Sequence, residues 1–348
     1  MDQVRHDAAA LRGYAAGLLV AAGLAADRAA VVAETLLEGD LMGHTTHGLA
    51  LLPGYLGEIA AGRMTVAGDP EVVSDRGASV LLDGRRLPGP WLVHHAIGLA
   101  LERVGAQGTC TVVIRRCHHI ACLAAYLERV TAAGCVVLLM SSDPNVASVA
   151  PFGGTRAFIT PNPIAAGIPA PGGPILIDIS ASATTNGLTN RIYTEGGRLP
   201  APWVMDAAGQ ASDDPAVLFT DPPGTILPLG GLDSGHKGFA LGLIVEALTA
   251  ALGGFGRADP GEGWGAAVFL QVIDPATFGG LDGFLRQSGW LVDAASANPP
   301  RPGHAPVRLP GARGRSLRAE QLRAGVLLHP GILEGLRPWA DRLHVTLF

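Results

Sequence analysis

Apolar positions recur at helical spacing near the start of the chain. Leu11 and Ala15 are four apart, as are Val32 and Leu36, and Gly23 separates the two runs. That spacing puts each pair on one helix face, so residues 5–20 and 27–41 read as helices. A third, Leu49 to Ala61, carries Pro53 near its start, where the missing N–H costs nothing. Residues 70–84 alternate and end in Asp83-Gly84, a hairpin-turn signal. Trp91 to Val104 returns to helical spacing, closed by Gly105 and Gly108. Short apolar runs at Cys110–Ile114, Cys135–Met140, Ile175–Ile179 and Val268–Ile273 read as strands, with a helix running to Ala133 between the first two. Residues 183–235 are rich in Gly, Pro, Asp and Thr and read as long loops with short helices, suited to covering a site. An apolar helix, Phe239 to Leu252, follows. Residues 296–316 read as an extended connection, and the last thirty as helix packed on the N-terminal helices. Strand–helix alternation over residues 110–180 predicts an α/β fold, and no internal repeat is found.

The length, 348 residues, allows two domains or one large one with an insertion. A net charge of −5 leaves no basic stripe for nucleic acid. Residues 14–37 come closest to a membrane span, but Asp27, Arg28 and Glu34 interrupt them. The charged N-terminus lacks the apolar core of a signal peptide, so a cytoplasmic protein is expected. Cys110, Cys117, Cys122 and Cys135 form no CxxC and no disulfide framework.

The stretch DLMGHTTHGLALLPGY, Asp40 to Tyr55, carries the first candidate chemistry. Thr46 can orient the imidazole of His47, and Gly48 has no side chain to keep a substrate away. The bland alternative is a capping turn with a solvated histidine. His118 and His119 fall where a strand meets a helix, and a helix start favours a phosphate or carboxylate. With His44 and His47 they would make four histidines, but the spacings fit no zinc pattern, and no metal is expected. No GxGxxG opens a helix, so a Rossmann site is not supported, and no GxSxG marks a hydrolase. His236-Lys237 opens an apolar helix and suits either a phosphate or plain solvation. Arg313 and Arg315 suit a 2′-phosphate grip or, equally, solvent.

Several stretches together resemble the malate/L-lactate dehydrogenase superfamily of non-Rossmann NAD(P)-dependent reductases. Its D-x-x-G-x-x-S-H-G motif is matched by Asp40, Gly43, Thr46, His47 and Gly48, with Thr for Ser. His119 and Tyr126 match a later histidine and aromatic, and Pro161-Asn162-Pro163-Ile164-Ala165 matches its T-N-P-I-A element. Asp178-Ile179-Ser180-Ala181-Ser182, then Pro200, Trp203, Asp206 and Gly209, match two more. Leu227, Pro228, Gly230, Gly231, His236, Lys237 and Gly238 match its L-P-x-G-G…H-K-G, and Pro306, Val307, Arg308, Pro310 and Gly311 its P-V-R-x-P-G.

The resemblance implies a homodimer. It implies a helical domain from both chain ends (1–66 and 307–348) and a mixed-sheet α/β cofactor domain (67–306) with a loop-rich insert around 183–235. It implies hydride transfer from NADP or NAD to a C=O or C=N carbon of a small molecule. His47 would be the acid, with Thr46 supporting it, and His119 is the acid in some members. The cofactor would be held by His118, His119, Ile120, Ala121, Cys122, Ser142, Asp178, Ile179, Ser180, His236 and Lys237. Arg313 and Arg315 tilt the preference to NADP. Leu51, Asn186, Gly187 and Leu188 would line the substrate. The chain departs from the family at two of these: Leu51 stands for a carboxylate-binding arginine, and Leu188 for Lys or Asp. Arg191 and Arg116 are possible replacements, and the expected substrate is neither lactate nor malate. The alternative is a repurposed or inactive relative that still binds the nucleotide.

Overall fold

A computed structural model describes residues 4–259, 261 and 263–346. Chain order begins with β1 (Arg5–His6), α1 (Ala8–Ala21), α2 (Ala26–Leu41) and α3 (Leu52–Ala60). The hairpin β2 (Glu71–Asp75) and β3 (Ser79–Asp83) leads to α4 (Gly89–Gln107), β4 (Thr109–Cys117), α5 (Ala124–Thr131) and β5 (Val136–Ser142). Then come β6 (Pro163–Ile168), β7 (Ile175–Ser180) and α6 (Asn186–Thr194). Short strands β8 (Val204–Met205), β9 (Ala211–Ser212) and β10 (Thr225–Ile226) precede α7 (Gly231–Ser234) and α8 (His236–Glu246). The chain closes with β11 (Ala266–Ile273), α9 (Leu281–Ser296), α10 (Ala312–Ala324), β12 (Val326–Leu327) and α11 (Ile332–Leu343).

Seven strands form one mixed sheet in the order β2-β3-β4-β11-β5-β6-β7, and only the β3–β4 pair is parallel. The central strand β11, AAVFLQVI, is apolar on both faces because both are covered. On one side α4 and α5 bury Leu92, Ile97, Tyr126 and Leu127 against Val112 and Leu270. On the other, Val245 of α8 and Leu248 of the π-turn after it meet Val113, Met140 and Phe269. A second core joins the two chain ends: Leu11, Leu18, Leu36, Leu52 and Leu56 pack with Val326 and Leu336, and β1 pairs with β12.

Three local expectations are corrected, and one strand is added. The hairpin turn lies at residues 76–78, not at Asp83-Gly84. Asp83 is instead fully buried, because it takes the guanidinium groups of Arg115 and Arg116 and the N–H of Arg85. Helix α5 begins at Ala124, five residues after His119, so His118 and His119 sit in the preceding loop rather than at a helix start. Strand β6, opened by proline and rich in Ala and Gly, carries little strand signal of its own; pairing on both sides makes it one. Helix α10 begins at Ala312, inside the stretch read as extended.

The loop before β6 is fastened by Asn162. Its φ of +48° lies in the left-handed region that asparagine tolerates. Its side chain, fully buried, donates to the Gly242 carbonyl at 3.1 Å and Glu246 at 2.9 Å, and accepts from Thr160 at 2.7 Å. This pins α8 to the loop that enters β6. Asn162→Ala is expected to cost about 2–3 kcal/mol, since it strands buried polar partners. A denaturant midpoint lowered at unchanged slope checks this, and an unaltered midpoint would refute it.

Candidate active site

The end of α2 is where the site is built. Gln321 of α10, buried, donates to the Asp40 and Leu41 carbonyls at 3.0 Å, so the last turn of α2 is capped by the C-terminal part of the chain. The Asp40 side chain, with no exposure, reaches over the following turn and accepts from Leu49 N–H at 2.7 Å. The fit is tight: a Cβ on Gly48 would overlap the Asp40 carboxylate. A Cβ on Gly39 would lie 2.8 Å from the His47 carbonyl. His47 N–H donates to the His44 carbonyl at 2.8 Å. The backbone of residues 44–48 is thus fixed by a buried carboxylate and two glycines.

His47 is half-buried, and its Nδ1 lies 2.9 Å from the Thr46 hydroxyl. When Nδ1 carries the proton it donates to Thr46 and leaves Nε2 a bare base. Burial first, then the nearby His44 and Arg191, lowers the His47 pKa to about 4. The imidazole is therefore neutral at pH 7, below the near-neutral poise that an unperturbed histidine would have.

His119 stands beside it, ring centroids 6.2 Å apart. Its ring stacks on Trp264 at 4.2 Å. Ala121 N–H donates to its Nδ1 at 3.3 Å, and the Tyr55 hydroxyl lies 3.0 Å from the same nitrogen and donates to the His119 carbonyl. An Nδ1 that accepts must be unprotonated, so the ring's proton sits on Nε2. Burial, with His47 and His118, holds its pKa well below the ordinary value. His119 is thus a neutral hydrogen-bond donor, and His47 is the group free to take or give a proton. The Tyr126 hydroxyl donates to the Ile120 carbonyl and steadies this loop.

Helix α6 closes the site from the side. A Cβ on Gly187 would lie 3.2 Å from Thr46 Cβ and 3.8 Å from His47 Cε1. Arg191 donates to the Thr45 hydroxyl at 2.7 Å and the Thr45 carbonyl at 2.8 Å, which sets a guanidinium beside the histidine turn. Leu51 is half-buried against the helical core, Leu188 is half-buried on the first turn of α6, and Asn186 is exposed.

The remaining expected residues separate into two groups. Asp178 accepts from Ala124 N–H at 2.9 Å, Ile179 is exposed and Ser180 half-buried at the end of β7. His236 and Lys237, both exposed, open α8 next to that strand end, where a Cβ on Gly238 would lie 2.6 Å from the Ala181 carbonyl. Ile120, Ala121 and Cys122 are buried within the loop before α5. His118, Ser142, Arg313 and Arg315 are not brought to this surface. His118 has no exposure; it packs edge-on to Tyr55, 3.6 Å from Glu58. Ser142 is buried and accepts from Thr249 at 3.3 Å. Arg315 donates to the Pro174 carbonyl, at the far end of β7, about 20 Å of strand from Ser180. Arg313 is exposed nearby, so this pair does not line the surface around His47 and Asp178. Arg116 is spent on Asp83, so of the two arginines only Arg191 lies beside the histidine turn. Trp264 and Tyr55 escaped sequence reasoning, since neither spacing nor composition places them on His119.

Burial raises the Asp40 pKa from 3.8 to about 7, opposed by Leu49 N–H and Arg191. A carboxyl raised on folding stabilises the fold most at low pH, and that contribution is lost as pH rises from about 4 to about 7. Asp40→Asn keeps an acceptor for Leu49 without the ionisation. Thermal melts against pH are expected to fall in wild type relative to the variant over that window, by at most about 1.4 kcal/mol per pH unit. Parallel curves would refute the reading.

Comparison with known proteins agrees with this architecture. The sequence profile described as malate/L-lactate dehydrogenase matches residues 6–337. An L-lactate dehydrogenase of Cupriavidus necator is 33% identical over 343 residues, covering 97% of each chain. A (2R)-3-sulfolactate dehydrogenase (NADP(+)) of Chromohalobacter salexigens is 32% identical, covering 94% of this chain and 95% of its own. Among solved structures, a Δ1-piperideine-2-carboxylate reductase of Pseudomonas syringae pvar. tomato superposes with a TM-score of 0.85 at 28% identity, over 97% of this chain and all of its own. By sequence profile and by fold, this chain belongs to the malate/L-lactate dehydrogenase family.

Proposed function

We propose that the chain moves a hydride between NADP or NAD and the C=O or C=N carbon of a small 2-substituted acid, with His47 carrying the proton. The observation behind this is the pairing of a proton-accepting His47 with a donor-only His119, 6.2 Å apart and flanked by Arg191. The chain's residues fit a dinucleotide. Lys237 is the sole lysine, every other member of the 25 Lys and Arg being arginine. It is exposed at the start of α8, where a helix dipole disfavours a cation unless an anion joins it. The exposed Ile179 offers an apolar ledge beside it. The nucleotide, when bound, supplies or receives the hydride.

The residues divide the remaining work. His119 Nε2–H donates to the substrate oxygen and polarises it. Arg191 holds the carboxylate as a charge-assisted pair. In oxidation the neutral His47 takes the hydroxyl proton on Nε2 while Thr46 accepts from Nδ1. Because His47 is neutral above about pH 4, the form able to accept a hydroxyl proton is the one populated at neutral pH. Exposed Leu243 and Ile244 of α8 and Trp290 of α9 give apolar surface for a homodimer.

His47→Ala is expected to lower kcat by about 10²–10⁴-fold while nucleotide titration stays within about twofold. Lys237→Gln should do the reverse, weakening nucleotide binding about tenfold through the lost charged contact. Full turnover in His47→Ala would end the proposal.

Leu51 and Leu188 suit an apolar substituent and oppose a second anionic group. Steady-state assays with both cofactors are expected to favour 2-oxo acids with apolar side chains, or cyclic imines, over oxaloacetate by roughly 10–200-fold. Pyruvate should also lag. If pyruvate or oxaloacetate turned over fastest, the substrate assignment would be discarded.

A further inference from the structure

We propose that His44, Cys122 and Asp178 form a three-ligand site for Zn2+, and that its occupation excludes the nucleotide. A ring nitrogen of His44, Sγ of Cys122 and a carboxylate oxygen of Asp178 lie within 4.8 Å of one another. They come from three separate elements: the turn after α2, the loop before α5, and β7. Sequence spacing could not reveal the set, since the residues are 78 and 56 positions apart. Among the described residues it is the one such cluster, and it shares only His44 with the four-histidine set weighed from sequence.

The chemistry of the donors selects the metal. One thiolate, one imidazole and one carboxylate match Zn2+ and disfavour Mg2+ and Ca2+, which take oxygen alone. Tetrahedral zinc needs donor separations of about 3.3–3.6 Å. The Cys122 thiol already donates to Asp178 Oδ2 at 3.7 Å, so that edge is nearly closed. His44 is half-buried on a turn, and its ring must shift by about an ångström to close the set. Three protein ligands leave a fourth position for water. Binding forms Zn–N, Zn–S and Zn–O bonds and releases the Cys122 thiol proton to solvent; no electrons move.

The functional consequence rests on the nucleotide reading above. Asp178 begins the strand end assigned to the cofactor, and the His44 carbonyl accepts from His47 N–H. Zinc at this trio would place a dication and its water on the cofactor surface and draw on the turn that carries His47.

The test is titration of the metal-free full-length chain with Co2+. One equivalent is expected to bind with a thiolate-to-cobalt charge-transfer band, and Zn2+ should bleach it. Cys122→Ser should abolish the band, and His44→Asn should weaken binding about tenfold or more. Cys110, Cys117 and Cys135, all buried and free, serve as controls when changed to serine. Absence of the band, or a band that survives Cys122→Ser, overturns the site and leaves the dehydrogenase reading untouched. NADP or NAD should release the cobalt. Cobalt that stays bound under saturating nucleotide overturns the exclusion and the placing of the nucleotide over Asp178. Zinc should inhibit wild-type turnover reversibly with chelator, and His44→Asn should lose that sensitivity whatever its starting rate.

Discussion

The buried carboxylate of Asp40 holds the rest in place. It stands at the end of α2 with one oxygen on Leu49 N–H and the other without a partner. An uncompensated oxygen at zero exposure is costly, and the raised pKa expresses that cost. The structure tolerates it because the same carboxyl bridges a turn that has no regular secondary structure. Gly39 and Gly48 let backbone and carboxylate approach more closely than any side chain allows. His47 owes its position to this costly burial, which agrees with the tendency of functional sites to hold groups that stability alone would not select.

Around that anchor, low polarity keeps both imidazoles neutral. His47 and His119 lie close enough that a charge on one opposes a charge on the other. Arg191 adds a fixed positive charge that opposes protonation of His47 and favours the ionised Asp40. The differing hydrogen bonds at the two Nδ1 atoms then divide the rings: one is locked as a donor by a backbone N–H, the other left free through a hydroxyl that can give or accept. Two residues of the same type thus acquire different chemistry from their neighbours.

Many residues that carry the family likeness shape the chain without reaching the site. Asp206 accepts from Ala208 and Gln210 N–H, and Gly209 at φ +86° completes that turn. Gly311, at φ +80°, passes so near Leu176 that a Cβ would sit 2.6 Å from its own. Asn162 and Tyr126 serve in the same way. A motif can therefore identify the family while only a few of its members, such as His47, stand at the candidate site.

The sequence by itself determined the paired N-terminal helices, the apolar strands and the family, since these rest on local periodicity and ordered motifs. It also singled out Thr46, His47 and His119, because their motif neighbours are close along the chain. Only the tertiary structure decided which of these lie together. It placed Trp264 under His119, buried His118, carried Arg315 to the opposite end of β7, and set Arg191 beside His47 across 144 residues. The reason is physical: a side chain's pKa, tautomer and exposure depend on what is packed against it, and those neighbours come from distant segments that no spacing rule connects.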